Sequence, residues 1–245
     1  MFILKQTSKL RREIVIKLNK VIIMTEDGQK LLDFIQNKIG IKETNGMPNY
    51  YHSLPVCILD DIYSLQSHYE TIALPTVKRF ANHYLNGDLY TSNYSINDFL
   101  RDLDNDGIDY VMETVLRNKQ VVGGRRKILV CYELAVALQK LGIQTMEDFA
   151  SYPDKSYLEY SIRYVKGVGN AAVDYLFMMA GDNSRVKPDI HIHHCIKDAI
   201  GRDVSDIECQ MLFREVSDEL RKDNPKLTPR FLDGLVWVHY SGFES

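Results

Sequence analysis

VKGVGNAAVDYLFMMAGDNSRVKPDIHIHHCI, Val165 to Ile196, decides how the chain is read. Ile162 and Val165 precede Gly167-Val168-Gly169, and Ala172, Val173 and Leu176 follow. The apolar period is helical on both sides, with two glycines one residue apart between. This is the pattern of a helix-hairpin-helix. The glycines permit positive φ and let a phosphate approach the backbone. Free N–H groups at the start of the second helix, here Asn170 onward, then bind that phosphate with help from the helix dipole. Arg163 and Lys166 add positive charge beside them. A tight helix–helix turn with two convenient glycines produces the same letters.

Outward from this stretch, helix punctuation repeats along the chain. GQKLLDFIQNKIG puts Leu31, Leu32, Ile35 and Ile39 on one face. Val56 to His68 follows a proline, and PTVKRFANHYL opens on Pro75, suited to a first helical turn. RRKILVCYELAVALQKLG has Ile128, Tyr132, Ala135 and Leu138 at helical spacing and stops at Gly142. Thr145 with Asp148 and Ser205 with Glu208 read as capping boxes, and Thr228-Pro229 as a cap followed by a first-turn proline. Strand alternation is confined to EIVIKL, Glu13 to Leu18, which fits helix equally well. The expected class is all-α, with about ten helices.

The 245 residues are 45% hydrophobic and 26% charged, enough for one large or two small cores. A net charge of −3 announces no polyanion partner, so any phosphate contact needs a local basic face. Cysteines at 57, 131, 195 and 209 form neither a disulfide framework nor a metal knuckle, which favours a reducing cytoplasm. No apolar run is long enough to span a bilayer, so no membrane partner is expected. The first 24 residues carry six Lys/Arg against Glu13 and do not resemble a secretory signal. An organelle transit peptide stays open there, as does a dispensable extension ahead of Met24.

Asp189 lies 20 residues after Gly169. At that spacing the chain resembles the helix-hairpin-helix, Gly/Pro-rich loop, Asp superfamily of DNA glycosylases, the endonuclease III-like proteins. The pattern is carried by Val165-Lys166-Gly167-Val168-Gly169, a helix near Asn170 to Ala180, the loop GDNSRVKP, and Asp189-Ile190-His191. Ser64-Leu65-Gln66 in IYSLQS is similar to the family's early Ser-x-Gln, whose glutamine probes the gap left by an extruded base. The resemblance is close over 160–195 and loose over 50–240. It implies a two-lobed fold with a central cleft, one lobe from 1–47 and 184–245 and the other from 48–183. It also implies hydrolytic removal of a damaged or mispaired base from double-stranded DNA by a monomer. Two departures matter. Ala171 stands where bifunctional members carry their Schiff-base lysine, and an alanine is no nucleophile. The four-cysteine iron–sulfur loop is missing, so neither that cluster nor another cofactor is expected.

Asp189 reads as a catalyst or as a helix N-cap after Pro188, and the two roles are compatible. As a catalyst, a fixed carboxylate stabilises positive charge building on the sugar and takes a proton from attacking water. His191, His193 and His194 with Cys195 hint at zinc, but a shared helix turns successive side chains about 100° apart. VVGGRRK offers Arg125, Arg126 and Lys127 as a second phosphate contact or a solvated helix start. Tyr50, Tyr51, Tyr63 and Tyr69 offer stacking surfaces or packing. DLDNDGIDYVME fits a calcium loop through Asp102, Asp104, Asp106, Gly107 and Glu113, or is an acidic link between helices. Two rivals to the repair reading follow: a catalytically silent DNA-binding scaffold, and a calcium-responsive interaction protein.

Overall fold

The computed structural model describes residues 24–41 and 51–242. The expectations for Glu13–Leu18, the basic first segment, 42–47 and Tyr50 lie outside the described residues. Twelve α-helices occur among the described residues, with one two-stranded ribbon, so the chain is all-α.

The first helices are α1 (Glu26–Phe34, continued as a π-turn over Ile35–Ile39), α2 (Leu54–Ser64), α3 (Leu74–Tyr84) and α4 (Ile96–Asp106). The short α5 (Ile108–Tyr110) runs into a π-turn over Val111–Val115. Strands β1 (Val121–Val122) and β2 (Arg125–Arg126) pair antiparallel, Val121 opposite Arg126. Then come α6 (Lys127–Lys140), α7 (Met146–Ser151), α8 (Lys155–Arg163) and α9 (Asn170–Met179). Helices α10 (Ile190–Ile200), α11 (Asp206–Leu220) and α12 (Pro229–Ser241) close the chain. The caps set most of these starts. Thr145 with Asp148 and Ser205 with Glu208 form reciprocal capping boxes, as does Ser95 with Asp98. Thr228 accepts from the Phe231 N–H ahead of Pro229. Each such cap contributes on the order of 1 kcal/mol.

Buried apolar side chains form two separate cores. The larger runs from Tyr51 to Met179, with Phe80, Phe99, Phe149 and Phe177. The smaller joins Leu31, Leu32 and Ile35 of α1 to residues between Val186 and Val236. The chain thus crosses to the second core after α9, through the loop that ends at Asp189.

Two local departures from the sequence reading shape this frame. Helix α2 ends at Ser64 rather than His68, because Leu65 turns extended and Gln66 takes φ +51°. Within VVGGRRK, residues 121–126 form a hairpin whose Gly123 and Gly124 both have positive φ, and Lys127 then opens α6 as a buried rather than a solvated helix start. The hairpin's tip packs on the other glycine turn. A Cβ on Gly123 would lie 3.1 Å from the Gly167 Cα, and one on Gly167 would lie 3.1 Å from Val130 Cγ2. Gly167 also has φ +104°. Gly167→Ala is therefore expected to cost roughly 3 kcal/mol, strain and overpacking together. Urea unfolding checks this; a change within 0.5 kcal/mol would contradict the close packing of the two turns.

Candidate functional site

The loop between α9 and α10 is held by side chains at almost every step. The Arg185 guanidinium pairs with Asp182 (2.9 Å), Asp174 (2.6 Å) and Glu159 (2.9 Å) and lies over the Phe177 ring. Gln210 bonds both the N–H and the C=O of Val186. The Lys187 N–H donates to Asp233 Oδ2 at 2.7 Å, and Pro188 is buried. The next residue, Asp189, caps α10. Its Oδ1 accepts from the N–H groups of His191 (2.9 Å) and Ile192 (3.3 Å). Its Oδ2 takes no bond among the described residues.

Asp189 lines a cleft of about 730 Å³ between the two cores. Gln66, Gly167, Gly169 and Ala171 line the same cleft from the larger core, and Lys187 and Trp237 from the smaller. Residues 66, 169 and 189, far apart in sequence, thus share one wall-to-wall space. Gly169 starts α9 with no side-chain cap, so the first N–H groups of that helix keep no intrahelical partner. A Cβ at Gly169 would meet open space, whereas Gly167 is required by packing. Lys166 is exposed beside them, and Val168 is buried as the anchor of the turn.

Asn170 is tied sideways instead of reaching freely. Its amide donates to Asp206 Oδ2 at 2.8 Å, and Arg163 donates to its carbonyl oxygen. Asp206 also meets His193 Nε2 at 3.0 Å, with Cys209 Sγ 3.7 Å from His193 Nδ1. Cys209 in this Cys–His–Asp grouping is fully buried, out of reach of a substrate, and burial pushes its thiol up to about 12. The grouping works as a strut between the hairpin helix and α11.

Lys127 corrects the sequence reading. It is 1% exposed and cannot meet a phosphate. Its Nζ donates to the carbonyls of Tyr63 (3.1 Å) and Leu65 (2.5 Å) and to Gln120 Oε1 (3.0 Å). Gln120 Oε1 also accepts from the Ser67 hydroxyl at 3.2 Å. Lys127 therefore caps the end of α2 and braces the turn on which Gln66 adopts its left-handed backbone. That conformation costs on the order of 1–2 kcal/mol and persists because its surroundings hold it. Burial lowers the Lys127 ammonium to about 8. Lys127→Met would take the ammonium from the Tyr63 and Leu65 carbonyls and leave Gln120 Oε1 with Ser67 alone, an expected loss of about 2 kcal/mol with loosening of the turn. Hydrogen exchange at residues 64–68 reads the loosening; unchanged protection there would refute the brace. Arg125 is half-buried and paired with Glu133, while Arg126 is exposed and donates to the Lys119 carbonyl.

The calcium reading is also corrected. Asp102, Asp104 and Asp106 lie within α4, not in a loop, and accept from the hydroxyls of Tyr94, Tyr132 and Tyr84. Glu113 pairs with Lys119. Among the described residues no group of three or more His, Cys, Asp or Glu is arranged to hold a metal ion. Cys195 is buried in the smaller core, away from any shared site with His191.

Asp233 was not foreseen. Burial, then the charge of Asp189, push its carboxyl up to about 7. A raised acid stabilises the fold fully below its unfolded value, near 4, and loses that contribution as pH rises through 7. Relative to Asp233→Asn, the parent is expected to lose on the order of 3–4 kcal/mol between pH 4 and pH 8. Thermal unfolding across that range measures it, and a constant difference would contradict the assignment.

No helix among the described residues is long and apolar enough to cross a membrane. Neither a curated protein nor a solved structure matches the chain. A family model does, over residues 29–241, which takes in both cores and the cleft, and the chain belongs to that family, described as Domain of unknown function (DUF8548).

Proposed function

We propose that the chain hydrolyses the N-glycosidic bond of an altered base in double-stranded DNA, and that its two cores form a fold of the helix-hairpin-helix glycosylase kind. The observation that carries this reading is the convergence of Gly167, Gly169, Gln66 and Asp189 on one cleft. The uncapped start of α9 and exposed Lys166 hold a backbone phosphate. Arg126 is free to approach a second one at its guanidinium's exposed side. Gln66, exposed on a strained turn, fills the gap left in the helix. Asp189 Oδ2 faces the sugar, stabilises charge building at its anomeric carbon and takes the proton of the attacking water. The bond to the base breaks and the base leaves with the electron pair. Ala171 offers no amine on this wall, so the reaction stops at an abasic site. The protein acts as a monomer and uses no cofactor.

Duplexes that each carry one altered base test the reading. Release of free base from at least one, and none from the undamaged duplex, is expected. Salt-dependent DNA binding with no release from any duplex would select a silent DNA-binding protein instead.

A further inference from the structure

Lys187 is the one lysine or arginine that lines the cleft among the described residues, and the loop fixes it at both ends. Its backbone N–H is held by Asp233, and its Nζ donates to Ser64 Oγ at 3.0 Å. The ammonium also sits 4.1 Å from the centre of the Tyr175 ring. An ammonium has three donors in all, so after Ser64 and the ring face one N–H remains for an occupant of the cleft.

The ring beneath it is fixed in turn. Tyr175 donates to Asp60 Oδ2 at 3.1 Å, and Tyr51 reaches Asp60 Oδ1 at 3.3 Å. The Tyr51 and Tyr69 hydroxyls meet at 3.5 Å. Asp60 is thereby engaged by tyrosines. The neighbouring Asp61, buried with both oxygens unpartnered among the described residues, is pushed well above the usual carboxylate range by burial. The Lys187 charge acts on both of these carboxyls, lowering each against the burial that raises it. In front, Tyr69 and Trp237 stand edge to face at 6.0 Å and line the same cleft, offering a planar ligand aromatic surface. Ser64, Tyr69, Lys187 and Trp237 are half-buried, whereas Gln66, His68 and Glu70 are exposed at the rim. Of the two carboxylates lining the cleft, Glu70 is at that rim and Asp189 is bound to the start of α10.

We propose that the half-buried part of this cleft takes a neutral base that presents a carbonyl oxygen to Lys187, an oxidised or deaminated base, and rejects cationic N-alkylated purines. The inference rests on the glycosylase reading for how a base comes to stand in the cleft. A charge-assisted bond from Lys187 to a carbonyl favours the first class. A cationic purine would set like charge against the ammonium in a site that excludes much of the solvent. Ordinary bases with carbonyls are held back by the cost of leaving the stack.

Binding by the Asp189→Asn protein tests this without turnover. The probes are duplexes of one sequence carrying a single 8-oxoguanine, uracil or 7-methylguanine. At least one of the first two is expected to bind about 10- to 100-fold tighter than 7-methylguanine, which keeps a carbonyl but sets a positive ring against the ammonium. Adding Lys187→Met is expected to erase the difference, and Lys187→Arg to restore part of it. Equal binding of all three, tightest binding of 7-methylguanine, or a preference that survives Lys187→Met would each overturn the proposal. The glycosylase reading fails separately, if the parent protein releases no base from the duplex that its variant prefers.

Discussion

Asp189→Asn is expected to abolish base release while leaving the fold and DNA binding intact. Asparagine is as good an N-cap as aspartate, and its Oδ1 can keep the bonds from His191 and Ile192 that Asp189 makes. The substitution also removes a charge that raises Asp233, a small gain that offsets any loss at the cap. What disappears is the anionic oxygen for the sugar and the acceptor for the water proton. Groups in that role contribute about 10²- to 10⁴-fold. Single-turnover release should fall by at least that range with the melting temperature within a few degrees of the parent. A variant that folds, binds and releases base at the parental rate would remove Asp189 from the chemistry and leave it a helix cap.

Arg185→Met should be the most damaging single change to stability in the loop that carries Asp189. The guanidinium is shared by Glu159, Asp174 and Asp182 and is stacked on Phe177. Asp174 is 6% exposed, and burial raises its carboxyl, with Arg185 the main opposing influence. Methionine keeps much of the packing on Phe177 but leaves a buried carboxylate without a partner. Breaking a buried pair from one side costs about 3–5 kcal/mol. Asp174→Asn in the Arg185→Met background should recover part of that loss, because the two positions are coupled. Denaturant unfolding of the three variants checks both statements. A loss below about 1 kcal/mol would mean the network is only a surface decoration.

The helices were legible wherever a start signal stood ahead of an apolar period. Thr145, Ser205 and Thr228 cap helices as their spacing suggests, and Asn170 to Met179 forms the second helix of the hairpin. The positive φ at Gly167 and the cap at Asp189 were legible because both depend on short-range sequence. The remainder depended on contacts across the chain. Nothing near Lys127 says that its ammonium reaches carbonyls more than 60 residues away, so a lysine after two arginines reads as surface charge. No glycine or proline marks the end of α2; the brace on its last carbonyls ends it. Lys187 and Trp237 come to share the cleft, and Asp233 meets the Lys187 N–H, only when α12 packs beside α10. The acidic letters of Asp102–Glu113 suit a loop and a helix alike. The buried face of Phe99, Leu100 and Leu103 behind the Ser95 cap decides for the helix.

Weighing both products of one turnover on a duplex carrying a single altered base tests the proposed hydrolysis head-on. The parent protein should yield one free base per site and an unbroken strand bearing an abasic sugar, with no protein–DNA adduct trapped by borohydride. A nicked strand with a trapped adduct would mean that some amine acts where Ala171 cannot, and an unchanged duplex across all lesions would contradict the proposed activity outright.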